Sequence, residues 1–438
     1  MKVLVLDGNE NQAVACVRSL THAGHRVFVG ADTAWSKAGW SRSCSGTFTY
    51  PAPQEDADAF VASVLEEASR EPGTLVLPMT ERTTLPLSAG RDSLLAAGAR
   101  IVLPSHETVL RAFDKQETVR LAESLGVAVP RTVFISNGDE ARRAAQTLAY
   151  PVVLKPGNSE EMSSGKVRAT GAPLYASNAN EFGAAYDQMS RRPVSGGILP
   201  AGISHHRSSQ DACAPKCVLA QEYVEGEGAG YFALMREGEL RMEFAHRRIR
   251  DVRPTGSGSA VRVSEKPSSR MREAALAILQ ALSWHGVAMV EFRVREDGEP
   301  VFMEVNGRFW TSLALAVYAG ADFPARLAEL AECRDIKVDG SYQTGVRCRW
   351  LLGDFRHLIE VWRGTPAGFA GKYPGRLRAS ANFLLPVAGT YHDNFTLGDP
   401  LPELGDWIDF FFRRVPAKLK KQAQAREKLH VERRYSHS

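Results

Sequence analysis

Two strand-like segments near residue 300 restrict the fold of this chain more than any other feature. Residues 290–294 and 301–306 each combine β-branched and aromatic residues with polar ones. The segment between them, 296–300, reads Glu-Asp-Gly-Glu-Pro, which is typical of a turn. The pattern therefore predicts a β-hairpin, in which alternation decides which side chains share a face.

That hairpin is expected to bring three oxygen-bearing side chains together. Alternation places Glu304 and Asn306 on one side of their strand, and Glu291 reaches them from the neighbouring strand. All-oxygen ligation suits a hard cation such as Mg²⁺, which takes its remaining ligands from water and substrate phosphates. We therefore predict a magnesium–nucleotide site, the alternative being ordinary solvent-facing strand residues.

Three arginines are candidates for contact with the phosphates. Arg308 follows Asn306 by two residues, so it lies on the same side if the strand continues. Its planar guanidinium suits phosphate oxygens and the charge that develops in phosphoryl transfer. Arg247 and Arg248 lie in another strand-like segment, and alternation allows only one of them to face the site; we favour Arg248. A surface position is the alternative for each arginine.

A lysine and a small-residue loop indicate phosphate binding before the hairpin. Lys155 ends an apolar strand, and Gly165 follows ten residues later in Met-Ser-Ser-Gly-Lys-Val. Small residues let backbone N–H groups approach phosphate oxygens. The loop lacks the Walker A pattern, and a structural turn is the alternative.

Residues 218–228 have the pattern of a strand that runs into a glycine-containing turn. An adenine needs an apolar slot with backbone donors and acceptors, and a ribose diol needs a carboxylate. Residues 222–224 are candidates for the first task, and Glu227 is the candidate for the second.

The first 105 residues or so alternate strand and helix patterns, as in a parallel α/β sheet. We predict strands at 2–6, 26–29, 74–77 and 100–103 and helices at 12–23, 57–69 and 88–97. The dinucleotide pattern G-x-G-x-x-G is absent, because Gly8 stands alone. A second domain is expected to begin near residue 110.

Composition excludes several classes of protein. A net charge of +4 over 438 residues does not indicate a nucleic-acid binder. The six cysteines lack paired spacing, so neither a zinc site nor a disulfide framework is indicated. No apolar run reaches the roughly 18 residues of a spanning helix, and no signal peptide is recognisable. We expect a cytoplasmic protein with reduced thiols.

The remaining segments are less regular. Residues 191–216 are rich in Pro, Gly, Ser and His, and we interpret them as a mobile insert. Beyond 335 we expect a strand at 346–352, an amphipathic helix at 355–363 and a basic tail. Residues 407–421 combine aromatic and basic residues, so the tail is a candidate for weak peripheral membrane contact; a segment packed on the core is the preferred interpretation.

In chain order these motifs resemble the ATP-grasp superfamily of carboxylate–amine ligases over residues 1–330. The resemblance includes Phe-Asp-Lys-Gln at 113–116, Val-Leu-Lys-Pro at 153–156, Gln-Glu-Tyr-Val at 221–224, and Glu-Val-Asn-Gly-Arg at 304–308. It implies a Rossmann-like N-terminal α/β domain (1–110), an α+β ATP-grasp domain (111–330, with subdomains 111–190 and 217–330) and a C-terminal extension (331–438).

The resemblance also implies roles for individual residues. ATP phosphates are assigned to Lys115, Lys155 and the loop at Gly165. Adenine is assigned to the hinge, with Gln221, Glu222 and Val224, and ribose to Glu227, with Glu225 as the alternative. The ions are Mg²⁺, with Mn²⁺ as a substitute, on Glu291, Glu304 and Asn306. By the resemblance Arg308 steadies the transferred phosphoryl group; Arg248, favoured from its strand position, is the second candidate catalytic cation.

The implied reaction phosphorylates a small carboxylate with ATP and joins the acyl phosphate to an amine. We expect amino-acid or peptide substrates, and a homodimer as the common oligomeric state. Three alternatives stay open: an ATP-grasp enzyme with another acceptor, a non-catalytic ATP-binding regulator and a small-molecule kinase. The absence of a nucleophile triad fits a site that acts by positioning and charge.

Overall fold

The computed structural model describes residues 1–190, 217–334, 336–366, 369, 371–385 and 387–414. The predicted insert at 191–216 and the basic tail beyond 414 lie outside these residues. The described strands form a parallel four-stranded sheet, an antiparallel four-stranded sheet, a seven-stranded sheet and a separate hairpin. The predicted mixed α/β and α+β fold class is confirmed. No helix in these ranges is long and apolar enough to cross a membrane.

The first sheet is parallel, with strand order β3-β2-β1-β4. Its strands are β1 (Lys2–Val5), β2 (Arg26–Ala31), β3 (Gly46–Thr49) and β4 (Leu75–Leu77). Alternate residues of the β1 segment enter two different apolar cores, Val3 and Val5 one and Leu4 and Leu6 the other. Both faces are therefore covered, as parallel sheets require. The flanking helices are α1 (Asn11–His22), α2 (Ala57–Ser69), α3 (Glu81–Ala89) and α4 (Arg91–Ala96).

Three details of this sheet and its flanking helices, together called the first layer, differ from the sequence prediction. The expected strand at 100–103 is reduced to one bridge, between Arg100 and Leu75. Strand β3 was not predicted, because its residues alternate between exposed and half-buried positions and carry little apolar signal. The predicted helix at 88–97 is interrupted at Gly90, which separates α3 from α4.

The second sheet has the order β5-β10-β6-β9 and is antiparallel. Helices α5 (His106–Phe113) and α6 (Lys115–Ser124) lead into it. Its strands are β5 (Thr132–Ile135), β6 (Val152–Pro156), β9 (Leu174–Ala176) and β10 (Val218–Glu222), with helices α7 (Gly138–Thr147) and α8 (Ala179–Ser190). The two helices share one apolar core with the sheet. Strands β7 (Glu160–Ser163) and β8 (Lys166–Ala169) form the separate hairpin.

The third sheet has the order β15-β14-β11-β12-β13-β16-β17. Its central strands are β11 (Glu227–Arg236), β12 (Glu239–Arg253), β13 (Ser257–Ser264), β14 (Gly286–Val294) and β15 (Pro300–Asn306). Helix α9 (Ser269–Ala281) covers one face. Helices α10 (Leu313–Tyr318) and α11 (Phe323–Ala331) share the core on the other face with α1 of the first layer. The predicted hairpin near residue 300 is β14–β15.

The C-terminal segment completes the third sheet. Strands β16 (Arg347–Arg349) and β17 (Tyr391–His392) add to its edge. The helices of this segment are α12 (Leu351–Arg363), α13 (Arg376–Leu384) and α14 (Leu401–Asp409), and a π-helical turn at Phe410–Arg414 comes last. The strand and helix predicted at 346–352 and 355–363 thus correspond to β16 and α12. Domain boundaries near 110 and 330 stay our proposal.

A buried polar network joins the first layer to this C-terminal segment. The Lys37 ammonium is 2.9 Å from a carboxylate oxygen of Asp406 and donates to Asn11 at 2.5 Å. Asn394 donates to both Asn11 and Asp406, and the Trp350 indole donates to Asp406. The Lys37 and Asp406 side chains are only 2% and 3% exposed. Breaking such a pair leaves an uncompensated buried charge.

We therefore expect Lys37→Ala to lower the free energy of unfolding by about 3–5 kcal/mol. The matched control is Lys372→Ala, because Lys372 pairs with Glu296 at 3.3 Å and both side chains are almost fully exposed. Thermal unfolding followed by circular dichroism measures both. A similar melting temperature for the two variants would contradict a structural role for the buried pair.

Candidate functional site

The carboxylates predicted on the β14–β15 hairpin lie directly opposite each other. Glu291 pairs in register with Glu304, and a β-bulge follows between Glu291 and Phe292. The Asn306 amide donates to Glu304 at 3.3 Å, and Arg308 donates to the Asn306 oxygen at 2.9 Å. The other face of both strands packs into the core beneath α9, which holds the polar face outward.

Two lysines approach Glu304 from the preceding segments. The Lys115 ammonium is 3.9 Å from Glu304 and donates to the Ser159 hydroxyl at 2.7 Å. Lys115 begins α6, which Asp114 caps by accepting from the N–H groups of Gln116 and Glu117. Lys155 lies on β6, as predicted.

The charges of the two lysines and of Glu304 shift the pKa values of Glu304 and Lys155. Burial would raise the pKa of Glu304, but Lys115 and Lys155 outweigh it and hold this pKa below its usual value. Burial lowers the pKa of Lys155, while Glu304 opposes that shift. The carboxylate is therefore kept ionised and the lysine is partly desolvated, which suits a site that receives a polyanion.

Of the two neighbouring arginines, Arg248 faces the predicted metal ligands. Its guanidinium is 2.8 Å from Glu291 and 3.5 Å from Asp251. Burial would lower its pKa, but Glu291 and Asp251 raise it. Arg247 lies on the opposite face and pairs with Glu227 and Glu265. The choice made from strand alternation agrees with this arrangement.

The absence of a side chain at Gly228 allows Arg248 to extend across β11 to Glu291. Strand β11 lies between β12, which carries Arg248, and β14, which carries Glu291. A Cβ atom at Gly228 would lie 2.8 Å from Cδ of Arg248. The side chain therefore crosses β11 over a position that has no side chain of its own.

The hinge between β10 and β11 contains the predicted nucleotide residues in different environments. The Gln221 side chain is buried and donates to Thr132 at 3.0 Å. Glu222 is 3.3 Å from Arg295, and Val224 is buried. A cavity of about 600 Å³ adjoins the hinge, and its lining includes Glu225 and Glu227 but neither Lys155 nor Glu304.

Gly226 explains why the hinge turns where it does. Its φ is +150°, and a Cβ atom there would lie 2.3 Å from the carbonyl oxygen of Val294. Only glycine allows this close approach of the hinge to the end of β14.

Gly165 lies in the two-residue turn of the β7–β8 hairpin rather than in an open loop. Ser164 and Gly165 have φ values of +52° and +69°, which is typical of a tight hairpin turn. The Gly165 carbonyl accepts from the N–H of Ala57 at 2.7 Å, and Val167 donates to Pro53. The hairpin is thus docked on the first layer, and the turn interpretation agrees with the structure.

The structure adds three charged residues that the sequence reasoning missed: Glu81, Arg82 and Glu160. The Glu81 carboxylate is 3.8 Å from Arg308, and Glu160 is 3.6 Å from Arg82. Burial raises the pKa of both carboxyl groups. Glu81 and Arg82 follow the carboxyl end of β4, where α/β sheets place functional groups, and that position was the available signal.

Asp7 fixes the turn that carries Glu81. One Asp7 oxygen accepts from the Met79 N–H, the Thr80 hydroxyl and the Thr83 hydroxyl at 2.6–3.1 Å. Burial raises the pKa of Asp7 to about 6. The carboxyl end of β1 therefore determines where α3 begins.

The protein supplies only part of the oxygen ligands that a hard cation needs. Within the described ranges, no three His, Cys, Asp or Glu side chains form a metal-binding group. The candidate set is two carboxylates and one amide oxygen, and Arg248, Arg308 and Lys115 already lie against these oxygens. Cations thus occupy the positions around the ligands, and a divalent ion there needs further oxygens from a substrate.

Comparison with known proteins gives a consistent result. No family model matches the chain. It is 27% identical over 287 residues to the N-terminal section of the carbamoyl phosphate synthase large chain of Methanopyrus kandleri, which covers 63% of this chain and 45% of that protein. The large chain of Methanospirillum hungatei is 26% identical over 291 residues, which is 64% of this chain and 24% of that protein.

Solved structures share the fold. The biotin carboxylase domain of Hydrogenobacter thermophilus 2-oxoglutarate carboxylase, in complex with MgADP, ADP and bicarbonate, superposes with a TM-score of 0.59 at 14% identity, over 79% of this chain and 73% of that one. The L-amino acid ligase of Bacillus licheniformis superposes with a TM-score of 0.53 at 14% identity, over 76% and 74%. These relatives are ATP-grasp proteins.

The chain is similar in sequence and in fold to these ATP-grasp proteins, as the resemblance inferred from its motifs predicted. It spans less than half the length of the Methanopyrus relative and about a quarter of the Methanospirillum one.

The packing of Arg248 in this candidate site predicts the effect of filling Gly228. We expect Gly228→Ala to destabilise the protein by about 1–3 kcal/mol, because the new methyl group displaces a buried arginine. Gly183→Ala is the control, since Gly183 lies in α8 with nothing within 4 Å of an added Cβ. That variant should be unchanged or up to about 1 kcal/mol more stable. Chemical denaturation compares them, and equal stabilities would show that Arg248 has room elsewhere.

Proposed function

We propose that this protein is an ATP-dependent ligase that activates a small carboxylate as an acyl phosphate and joins it to an amine. One observation carries the proposal: two opposed carboxylates and an amide meet lysines and arginines from separate elements around one point. Glu291 and Glu304 contribute the negative charge, and Lys115, Lys155 and Arg248 contribute positive charge. The site contains the groups that phosphoryl transfer requires.

In this proposal Glu291, Glu304 and Asn306 hold magnesium together with ATP phosphates. Mg²⁺, or Mn²⁺ in its place, would neutralise phosphate charge and polarise the transferred phosphoryl group. Lys115 and Arg248, which now lie against these oxygens, would turn to the ATP phosphates when the metal is bound. Arg308 would then be released from Asn306 to contact the phosphoryl group.

The nucleotide is assigned to the space between the second and third sheets. Lys115 and Lys155 bind phosphates, and the hinge residues Glu222 and Val224 flank the adenine. Gln221 contributes through its backbone, because its side chain is bonded to Thr132. The resemblance assigns the ribose to Glu227, or to Glu225 in its place; Glu227 itself pairs with Arg247 on the face of the sheet opposite Arg248. The phosphate role of Gly165 stays a prediction, since its hairpin turn is hydrogen-bonded to Ala57 on the first layer.

Chemistry in this site needs positioning and charge rather than a protein nucleophile. A substrate carboxylate oxygen attacks the γ-phosphorus, the bond to the β-phosphate oxygen breaks, and ADP leaves. The amine nitrogen then attacks the acyl carbon, the carbon–oxygen bond breaks, and phosphate leaves with the electron pair and a nitrogen proton. Arg308 and Arg248 stabilise the negative charge in both steps.

The comparisons support the class of reaction. The matched relatives are named as a synthase of carbamoyl phosphate, a biotin carboxylase and an L-amino acid ligase. Amino-acid or peptide substrates, homodimer formation, a cytoplasmic location and contact of the basic tail with a membrane surface stay predictions.

The decisive experiment traps the acyl phosphate with hydroxylamine. Purified protein, Mg-ATP and pools of small carboxylates should give ADP and a hydroxamate that depends on one pool. We expect Glu304→Gln and Lys155→Ala to lower the rate at least about 100-fold, because each removes charge stabilisation from the transferred phosphoryl group. Glu273→Gln and Lys337→Ala, two substitutions at exposed positions outside the candidate site, are the matched controls.

The products also separate the alternatives. ADP without hydroxamate would favour a kinase or a non-carboxylate acceptor. ATP binding without ADP release would favour a regulator. Hydroxamate formation at the wild-type rate in Glu304→Gln would remove Glu304 from the site.

A further inference from the structure

Four charged side chains form a second cluster beside the candidate phosphoryl-transfer centre. Glu81 and Arg82 come from the start of α3, Glu160 from the β7–β8 hairpin and Arg308 from the segment after β15. The Glu81 and Glu160 side chains are only 12% and 13% exposed. Three separate parts of the chain thus bring two nearly buried carboxylates near each other, close enough that the charge of Glu81 raises the pKa of Glu160.

The two carboxylates are under-paired for their burial. Glu81 is 3.8 Å from Arg308 and Glu160 is 3.6 Å from Arg82, and both distances exceed that of a good hydrogen bond. Oε2 of Glu160 is buried and lacks a hydrogen-bond partner among the described residues. No donor within those residues reaches the Glu81 carboxylate at hydrogen-bond distance.

The two neighbouring guanidinium groups, of Arg308 and Arg82, already donate hydrogen bonds to other acceptors. Arg308 donates to the Asn306 amide oxygen and to the Phe309 carbonyl. Arg82 meets the Gln54 amide oxygen at 2.6 and 2.8 Å in the amide orientation that satisfies both groups. Buried acceptors without donors are costly, so the pair is suited to a ligand that brings N–H donors and positive charge.

We infer that Glu81 and Glu160 bind the acceptor amine as an ammonium group. An ammonium carries three donors and one positive charge, which two half-satisfied carboxylates complement. Arg308 links the cluster to Asn306, so an amine held by Glu81 lies next to the position proposed for the acyl phosphate. The inference rests on the proposed ligase function and assigns its second substrate to a cationic amine.

A competition between two acceptors tests the inference. Ammonium is a cation at neutral pH and must pass one proton to a neighbouring carboxylate before its nitrogen can attack, whereas hydroxylamine is largely uncharged; both then capture the same acyl phosphate. We expect Glu81→Gln and Glu160→Gln to lower the amide-to-hydroxamate product ratio about 10-fold or more, because each removes a charged acceptor of the ammonium donors. The ratio is independent of how much enzyme is folded or of the rate of acyl phosphate formation.

Glu161→Gln is the matched control, because Glu161 is the exposed neighbour of Glu160 on the same hairpin. It should keep the wild-type ratio. An unchanged ratio in Glu81→Gln, or a wild-type enzyme that forms hydroxamate but no amide from ammonium, overturns the inference while leaving acyl phosphate chemistry intact. A wild-type enzyme that forms no ATP-dependent hydroxamate overturns the proposed function and this inference with it.

Discussion

The opposed carboxylates of Glu291 and Glu304 are the constraint on which the candidate site depends. Like charges directly across two strands repel and destabilise a sheet. The structure holds them together because cations arrive from elsewhere: Arg248 crosses β11 to Glu291, and Lys115 reaches Glu304 from α6. The site therefore exists only when the second and third sheets and the helix before them are all in place. A magnesium–phosphate ligand would take over the same task of compensation.

Local alternation explains why part of this site is predictable from the sequence. Which face of a strand a side chain occupies depends only on its position in that strand. That rule is sufficient to group Glu304 with Asn306 and to require that only one of Arg247 and Arg248 faces the site. The order of motifs along the chain then identified the ATP-grasp fold, which the comparisons confirm. What it predicted for individual residue roles stays a proposal.

The parts that sequence reasoning missed depend on how distant segments dock. Glu81 and Glu160 are 79 positions apart in sequence and meet only because the β7–β8 hairpin packs on the first layer. A glycine in a small-residue loop has the same local pattern whether it lines an anion site or turns a hairpin, so Gly165 could not be assigned from its neighbours alone. Likewise, residues 346–392 carry no signal that they extend the third sheet, because β16 and β17 contain only three and two residues.

The buried polar contacts between layers specify how the layers dock, in addition to any contribution to stability. A buried ion pair such as Lys37–Asp406 gains little net free energy, because desolvation of both charges offsets their attraction. It does, however, penalise every docking geometry in which one partner is unpaired. Asp7 acts in the same way within the first layer, since its three acceptor contacts hold the turn before α3 in one place. These contacts specify where α3 begins relative to the third sheet. The separation between Glu81 and Arg308 therefore follows from polar groups that lie outside the site.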